Sequence, residues 1–130
     1  MSATRLVLVA DDEQDILTLV TTIIERSGHE VVSVRDGAAA LAAICERRPD
    51  LVVLDISMPE IDGLEVLRRV RADAETSDLP VLLLSARAQE ADVRHGFETG
   101  ASGYVKKPFS PSELAQRVDA LLATAAQSDL

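Results

Sequence analysis

The stretch Leu51-Val52-Val53-Leu54-Asp55-Ile56-Ser57-Met58-Pro59-Glu60-Ile61-Asp62-Gly63 decides the reading of this chain. Its first four residues are an unbroken apolar run, the pattern of a strand buried on both faces in a parallel sheet, and the run ends in a carboxylate. Pro59 and the Asp62-Gly63 pair break the pattern at once, so Asp55 is expected at a loop mouth at the strand's carboxyl end. In open α/β sheets that edge is where ligands bind.

Working outward, the same unit recurs. Arg5 to Ala10 reads as a buried strand that ends at Asp11-Asp12-Glu13. Ile16, Val20, Ile23 and Ile24 then repeat at helical spacing, Gly28 is placed for a left-handed cap, and Glu30 to Arg35 reads as a second strand. Asp36-Gly37 opens a second helix, with its apolar face expected at Ala38, Leu41, Ala42 and Cys45. Beyond the central stretch, Leu64, Leu67 and Val70 mark a third helix, and Val81 to Leu84 forms a strand ending at Ser85. A fourth helix, near Gln89 to Thr99, has only Val93 and Phe97 as apolar anchors and is expected to be the least firmly held element. Tyr104 to Lys107 reads as a fifth strand stopped by Pro108. Ser110-Pro111-Ser112-Glu113 is a capping box for a last helix burying Leu114, Val118, Leu121 and Leu122.

Strands alternating with helices in this way dictate a doubly wound five-stranded parallel sheet with helices on both faces. A chain of 130 residues, 47% of them hydrophobic, is the size of one domain, expected over residues 1–123 with 124–130 as a tail or the start of a linker. The formal net charge of -9 argues against direct nucleic-acid binding. No apolar run approaches a membrane span and no signal segment is evident, so the expected location is the cytoplasm. The single Cys45 cannot form an internal disulfide and is expected to be a buried small hydrophobe.

Asp11, Asp12, Asp55, Ser85 and Lys107 all fall at strand ends, hence along one edge of the sheet. Carboxylates crowded there repel one another by about 4 kcal/mol per pair at about 4 Å with an effective dielectric near 20. Lys107 answers one charge, and a hard divalent cation with oxygen ligands, Mg²⁺, would answer the rest and attract a phosphoryl group. Each residue also has a plainer reading. Asp12 suits a helix N-cap with Asp15 three residues on, Tyr104 suits a core aromatic, and Asp62-Gly63 suits a simple turn. His29 and His95 are expected to be solvated and without a chemical role.

Asp-Asp after the first strand, Asp-x-x-Met-Pro-x-x-Asp-Gly after the third, Ser-Ala after the fourth and Lys-Pro-Phe after the fifth together resemble the receiver domains of two-component response regulators. The resemblance runs from about Arg5 to Leu122 and implies the flavodoxin-like strand order 2-1-3-4-5. It implies that Asp55 is the phosphoacceptor, taking a phosphoryl group from a sensor histidine kinase or a phosphotransfer protein, and that the domain autodephosphorylates. Mg²⁺, with Mn²⁺ as the alternative, would be held by Asp11, Asp12, Asp55 and the backbone carbonyl of Ser57, while Lys107 stabilises the phosphoryl oxygens. The Lys107-Pro108 bond is a cis-peptide candidate. On this likeness Ser85 and Tyr104 form the switch, which reshapes the surface of the fourth helix, fifth strand and fifth helix, and Ser57 and Arg87 tune hydrolysis.

A phosphatase of the haloacid dehalogenase kind would want a second aspartate where Ser57 stands. A flavodoxin-like cofactor binder would want Ser, Thr or Gly where Asp11-Asp12-Glu13 would repel phosphate. A degenerate receiver used only for protein contacts would not need every charged site residue. The expected molecule is therefore a signalling switch and not a turnover enzyme, a monomer or weak dimer that acts on a downstream protein or through an output domain outside this chain. The segment from Glu90 to Leu114 resembles receivers joined to winged-helix DNA-binding domains, but Ser102 and Gly103 stand where those carry an acidic pair used in dimer salt bridges.

Overall fold

In a computed structural model, which describes residues 4–86 and 89–128, five strands and five helices alternate. In chain order they are β1 (Leu6–Ala10), α1 (Gln14–Arg26), β2 (Glu30–Val34), α2 (Gly37–Arg47), β3 (Leu51–Asp55), α3 (Gly63–Ala72), β4 (Val81–Ser85), α4 (Glu90–Thr99), β5 (Gly103–Lys106) and α5 (Pro111–Ser128). All strand pairs are parallel, in the order β2-β1-β3-β4-β5, as the resemblance implied.

The apolar runs explain the layers. Side chains alternate along a strand, so each run serves both faces of the sheet. Val7, Val9, Leu51, Val53, Leu82 and Leu84 pack under α1 and α5, whose buried residues are Leu17, Val20, Ile23, Ile24, Leu114, Val118 and Leu122. Leu8, Ala10, Val52, Leu54, Val81 and Leu83 face the other way, onto Ala40 and Ile44 of α2 and Val66, Leu67 and Val70 of α3. Register brings the strand ends level: Ala10 pairs with Leu54, Asp55 with Leu84, and Ser85 with Lys106. Lys107 lies one residue past β5, and its N–H donates to the Ser85 carbonyl at 2.8 Å, so the ladder still aims it.

Several sequence expectations need correction. The buried face of α2 is Gly37, Ala40 and Ile44, while Ala38, Ala42 and Cys45 are exposed. One residue of helical phase is about 100° of rotation, and the phase is set by Gly37, which must face inward against Ile61. Phe97 is 46% exposed and does not anchor α4, because the adjacent Gly96 takes the buried position against Leu83 and Tyr104. His29 is not solvated: its side chain is 15% exposed and its Nε2 sits 3.0 Å from Asp119 of α5. The N-cap of α1 is Glu13 and not Asp12. Helix α5 itself runs to Ser128. Ser110 caps α5 as expected, its Oγ accepting from the Glu113 N–H at 3.1 Å.

Candidate functional site

The site is built by four strand ends. Strand β1 runs straight into Asp11, which is fully buried, and its Oδ1 accepts from the Glu13 N–H at 2.9 Å. The same carboxylate thus holds the turn that leads into α1 and points its second oxygen at the site. Strand β3 ends in Asp55, 3% exposed, and the N–H of Ile56 still donates to the Leu84 carbonyl at 3.1 Å, which holds the backbone in the sheet. Strand β4 ends in buried Ser85, and the residue after β5 is Lys107, joined to Pro108 by the cis peptide that was expected.

Lys107 ties these ends together. Its Nζ donates to Asp11 Oδ2 at 3.1 Å, to Asp55 Oδ1 at 3.3 Å and to Glu13 Oε1 at 3.4 Å, so its three donors meet three carboxylates. Lys106 is exposed, in keeping with strand alternation. One ammonium cannot neutralise the group. Asp11, Asp12, Glu13 and Asp55 each offer an oxygen, all within 4.8 Å of one another. Sequence reasoning placed Asp11, Asp12 and Asp55 here and missed Glu13, which adjoins them in the chain and whose helix-capping position turns it toward Lys107.

The titration of the site reports the same crowding. Burial, and next the charge of Asp11, raise the Asp55 carboxyl from 3.8 to about 6, against the opposing pull of Lys107 and of the Ser57 backbone N–H. Burial works against the Lys107 charge, but its hydrogen bond to Asp11 and the charges of Asp55 and Asp11 outweigh that and hold its proton more tightly than usual. The ammonium is thus secure while the acid beside it is held under tension.

The loop from β3 to α3 carries Ser57, which is exposed, and ends in a capping contact: Asp62 Oδ1 accepts from the Glu65 N–H at 2.9 Å. Asp62-Gly63 is therefore more than a turn. A methyl group placed on Gly63 would lie 2.3 Å from the Asp55 carbonyl oxygen, so only glycine lets α3 begin there. Tyr104 is buried on the α2/α3 face of the sheet, its ring edge against Gly96 of α4. Arg87 lies outside the described residues.

The model of the response regulator receiver domain family matches residues 7–119 of this chain. The alkaline phosphatase synthesis transcriptional regulatory protein PhoP of Bacillus subtilis is 43% identical over 116 residues, which are 89% of this chain and 48% of that protein. The DNA-binding response regulator MtrA of Mycolicibacterium smegmatis is 41% identical over 89% of this chain and 50% of its own length. Among solved structures, a putative response regulator from Chloroflexus aurantiacus superposes with a TM-score of 0.89 at 35% identity, covering 93% of this chain and 99% of that one. The chain thus spans about half the length of the curated relatives it matches.

Proposed function

The chain belongs to the response regulator receiver family of two-component systems, and from that premise we propose that Asp55 accepts a phosphoryl group from the phosphohistidine of a sensor histidine kinase or phosphotransfer protein. The observation that carries this reading is the ammonium of Lys107, 3.3 Å from Asp55 and 3.1 Å from Asp11 at the carboxyl edge of the sheet. An Asp55 carboxylate oxygen attacks phosphorus, the P–N bond of the donor breaks, and the histidine nitrogen leaves with the electron pair. Lys107 shifts a donor from carboxylate to a phosphoryl oxygen, and the Ser85 hydroxyl donates to another. Water later attacks the same phosphorus and returns the free carboxylate. Such transfers need positioning and charge stabilisation more than covalent help.

The donor set fits Mg²⁺, with Mn²⁺ as the alternative: it consists of carboxylate oxygens, carries excess negative charge and offers no sulfur or imidazole. Asp11, Asp12 and Asp55, together with the Ser57 carbonyl, would hold the ion, which supplies charge neutralisation at the phosphoryl oxygens. Ser57 and Arg87 tune the lifetime of the phosphate. The molecule is a switch and not a turnover enzyme: the pull on Ser85 is relayed to Tyr104 and alters the α4/β5/α5 surface, which addresses a downstream partner.

The lengths of the relatives favour an output domain outside this chain over a stand-alone regulator. Two relatives are named as transcriptional or DNA-binding regulators, so such an output would act on promoter DNA although this acidic domain does not touch it. Among the described residues no helix is long and apolar enough to cross a membrane, which supports a place in the cytoplasm. Ser102, at the position where receivers joined to winged-helix domains carry an acidic pair, turns its Oγ inward to accept from the Val81 N–H at 3.1 Å, which supports a monomer or weak dimer. Incubation with Mg²⁺ and a small acyl-phosphate donor, followed by intact-mass measurement, tests the central step. Wild type should gain one phosphoryl group and Asp55→Asn none; equal labelling of both would end the assignment.

A further inference from the structure

Two Asp-Gly pairs in this chain do the same structural work, and only one of them adjoins the acidic site. Asp62 caps α3 through the Glu65 N–H at 2.9 Å, and Asp36 caps α2 through the Ala39 N–H at 2.7 Å. In each pair the following glycine is the first helical residue and is pressed against a backbone carbonyl, at the end of β3 for Gly63 and in the β3–α3 connection for Gly37. A methyl on Gly63 would lie 2.3 Å from the Asp55 carbonyl oxygen, and a methyl on Gly37 would lie 2.2 Å from the Ile61 carbonyl oxygen and 2.8 Å from the Ile61 Cβ. Both are backbone contacts, which no side-chain rotation can relieve.

The two contacts are linked through the chain, because Ile61 directly precedes the Asp62-Gly63 pair. The start of α2 seats Ile61, Ile61 sets where α3 begins, and the start of α3 lies against the backbone of Asp55. Within the same connection Glu60 has a φ of 65°, a left-handed conformation costly for a residue with a side chain. Further bonds close the loop, from the Gly63 N–H to the Ile56 carbonyl at 2.9 Å and from the Met58 N–H to the same oxygen at 3.1 Å. A strained loop keeps its shape only where its surroundings over-determine it, and here two helix starts do so.

We propose that Gly37 is a positioning residue for the acidic site: by admitting the Ile61 carbonyl against the start of α2, it fixes the loop that carries Ser57 and the backbone of Asp55, although no residue of α2 takes part in the site. This rests on the reading of the site as a Mg²⁺-dependent phosphoacceptor. A side chain at position 37 moves the loop outward, and the oxygen donors at its base lose their register with Asp11 and Asp12.

Calorimetric titration with Mg²⁺, at a temperature where every variant is folded by circular dichroism, compares wild type, Gly37→Ala and Ile44→Ala. Ile44 is buried about two turns further along the same helix and lines a cavity with Pro49, Asp50 and Pro80 at the opposite edge of the sheet, so its truncation lowers stability away from the Gly37–Ile61 contact. Gly37→Ala should bind Mg²⁺ about tenfold more weakly, the size of effect seen when groups supporting metal ligands are disturbed. Ile44→Ala should bind as wild type does. Equal affinity of Gly37→Ala and wild type overturns the proposal, as does an equal loss in both variants. Absence of Mg²⁺ binding in wild type overturns instead the reading of the site. Should Gly37→Ala not fold, the double variant Gly37→Ala/Ile61→Gly removes the contact with Ile61 Cβ and frees the carbonyl to swing away. Its weaker Mg²⁺ binding supports the proposal, and wild-type binding refutes it.

Discussion

Strand β4 and helix α4 are consecutive in the chain and are held in opposite ways. Every residue of Val81–Ser85 is buried, and the strand is paired on both sides, with β3 and β5. Helix α4 buries only Gly96, its N-cap Gln89 makes no side-chain capping bond, and its one large aromatic faces outward. Its firm end is the C-terminal one. There Arg71 of α3 donates to the Gly100 carbonyl at 2.9 Å, to the Leu79 carbonyl at 2.7 Å and to Ser102 Oγ at 3.3 Å. A rigid strand thus presents Ser85 to the site, and a lightly seated helix anchored at its far end lies next to it. That pairing suits a switch, since low local stability is drawn to elements that must move.

The largest expected effect tests the rigid partner. Leu83→Ala, which empties a fully buried position of β4, should cost about 3 kcal/mol in urea unfolding; a loss below about 1 kcal/mol would show that the strand is not the fixed element. The next concerns the acid at the end of the neighbouring β3. The Asp55 carboxyl keeps its proton up to about pH 6 in the folded chain and releases it near 3.8 when unfolded. The folded state therefore binds that proton more tightly, and stability declines as pH rises between those values. With chelator present, Asp55→Asn should stabilise the protein by about 2 kcal/mol at pH 8 and by clearly less at pH 5. A gain independent of pH would mean that ionisation of Asp55 is not what strains the site. The smallest effect probes the loose partner: Phe97→Ser should change stability by less than about 0.5 kcal/mol, and a larger loss would mean that α4 is seated more firmly than its exposed aromatic indicates.

Most of the site could be read in the chain because its residues end apolar runs. A strand buried on both faces leaves no ambiguity about where it stops, so Asp11, Asp55 and Ser85 were visible as the first polar or charged residues after such runs, while Lys107 was told from Lys106 by the Pro108 that follows it, as in the family's motif. Helix faces were less legible. Eight of the eleven residues of α2 are apolar and five of those are alanine, so several phases fit equally well, and the choice that buried Cys45 was wrong by one residue. His29 was misjudged because its partner Asp119 lies 90 positions away. Glu13 was missed because its distance to Lys107 depends on how α1 leaves β1, which no local pattern encodes.

By itself the sequence determined the alternation of buried strands and amphipathic helices, and with it the sheet edge at which the acids gather, because burial on both faces and helical periodicity are local properties of the chain. Tertiary structure alone decided that one ammonium would meet three carboxylates, that α2 would turn Gly37 and not Ala38 inward, and that two helix starts would close on the β3–α3 loop. Those outcomes depend on close approaches between segments far apart in sequence, and such distances exist only once the whole core has packed.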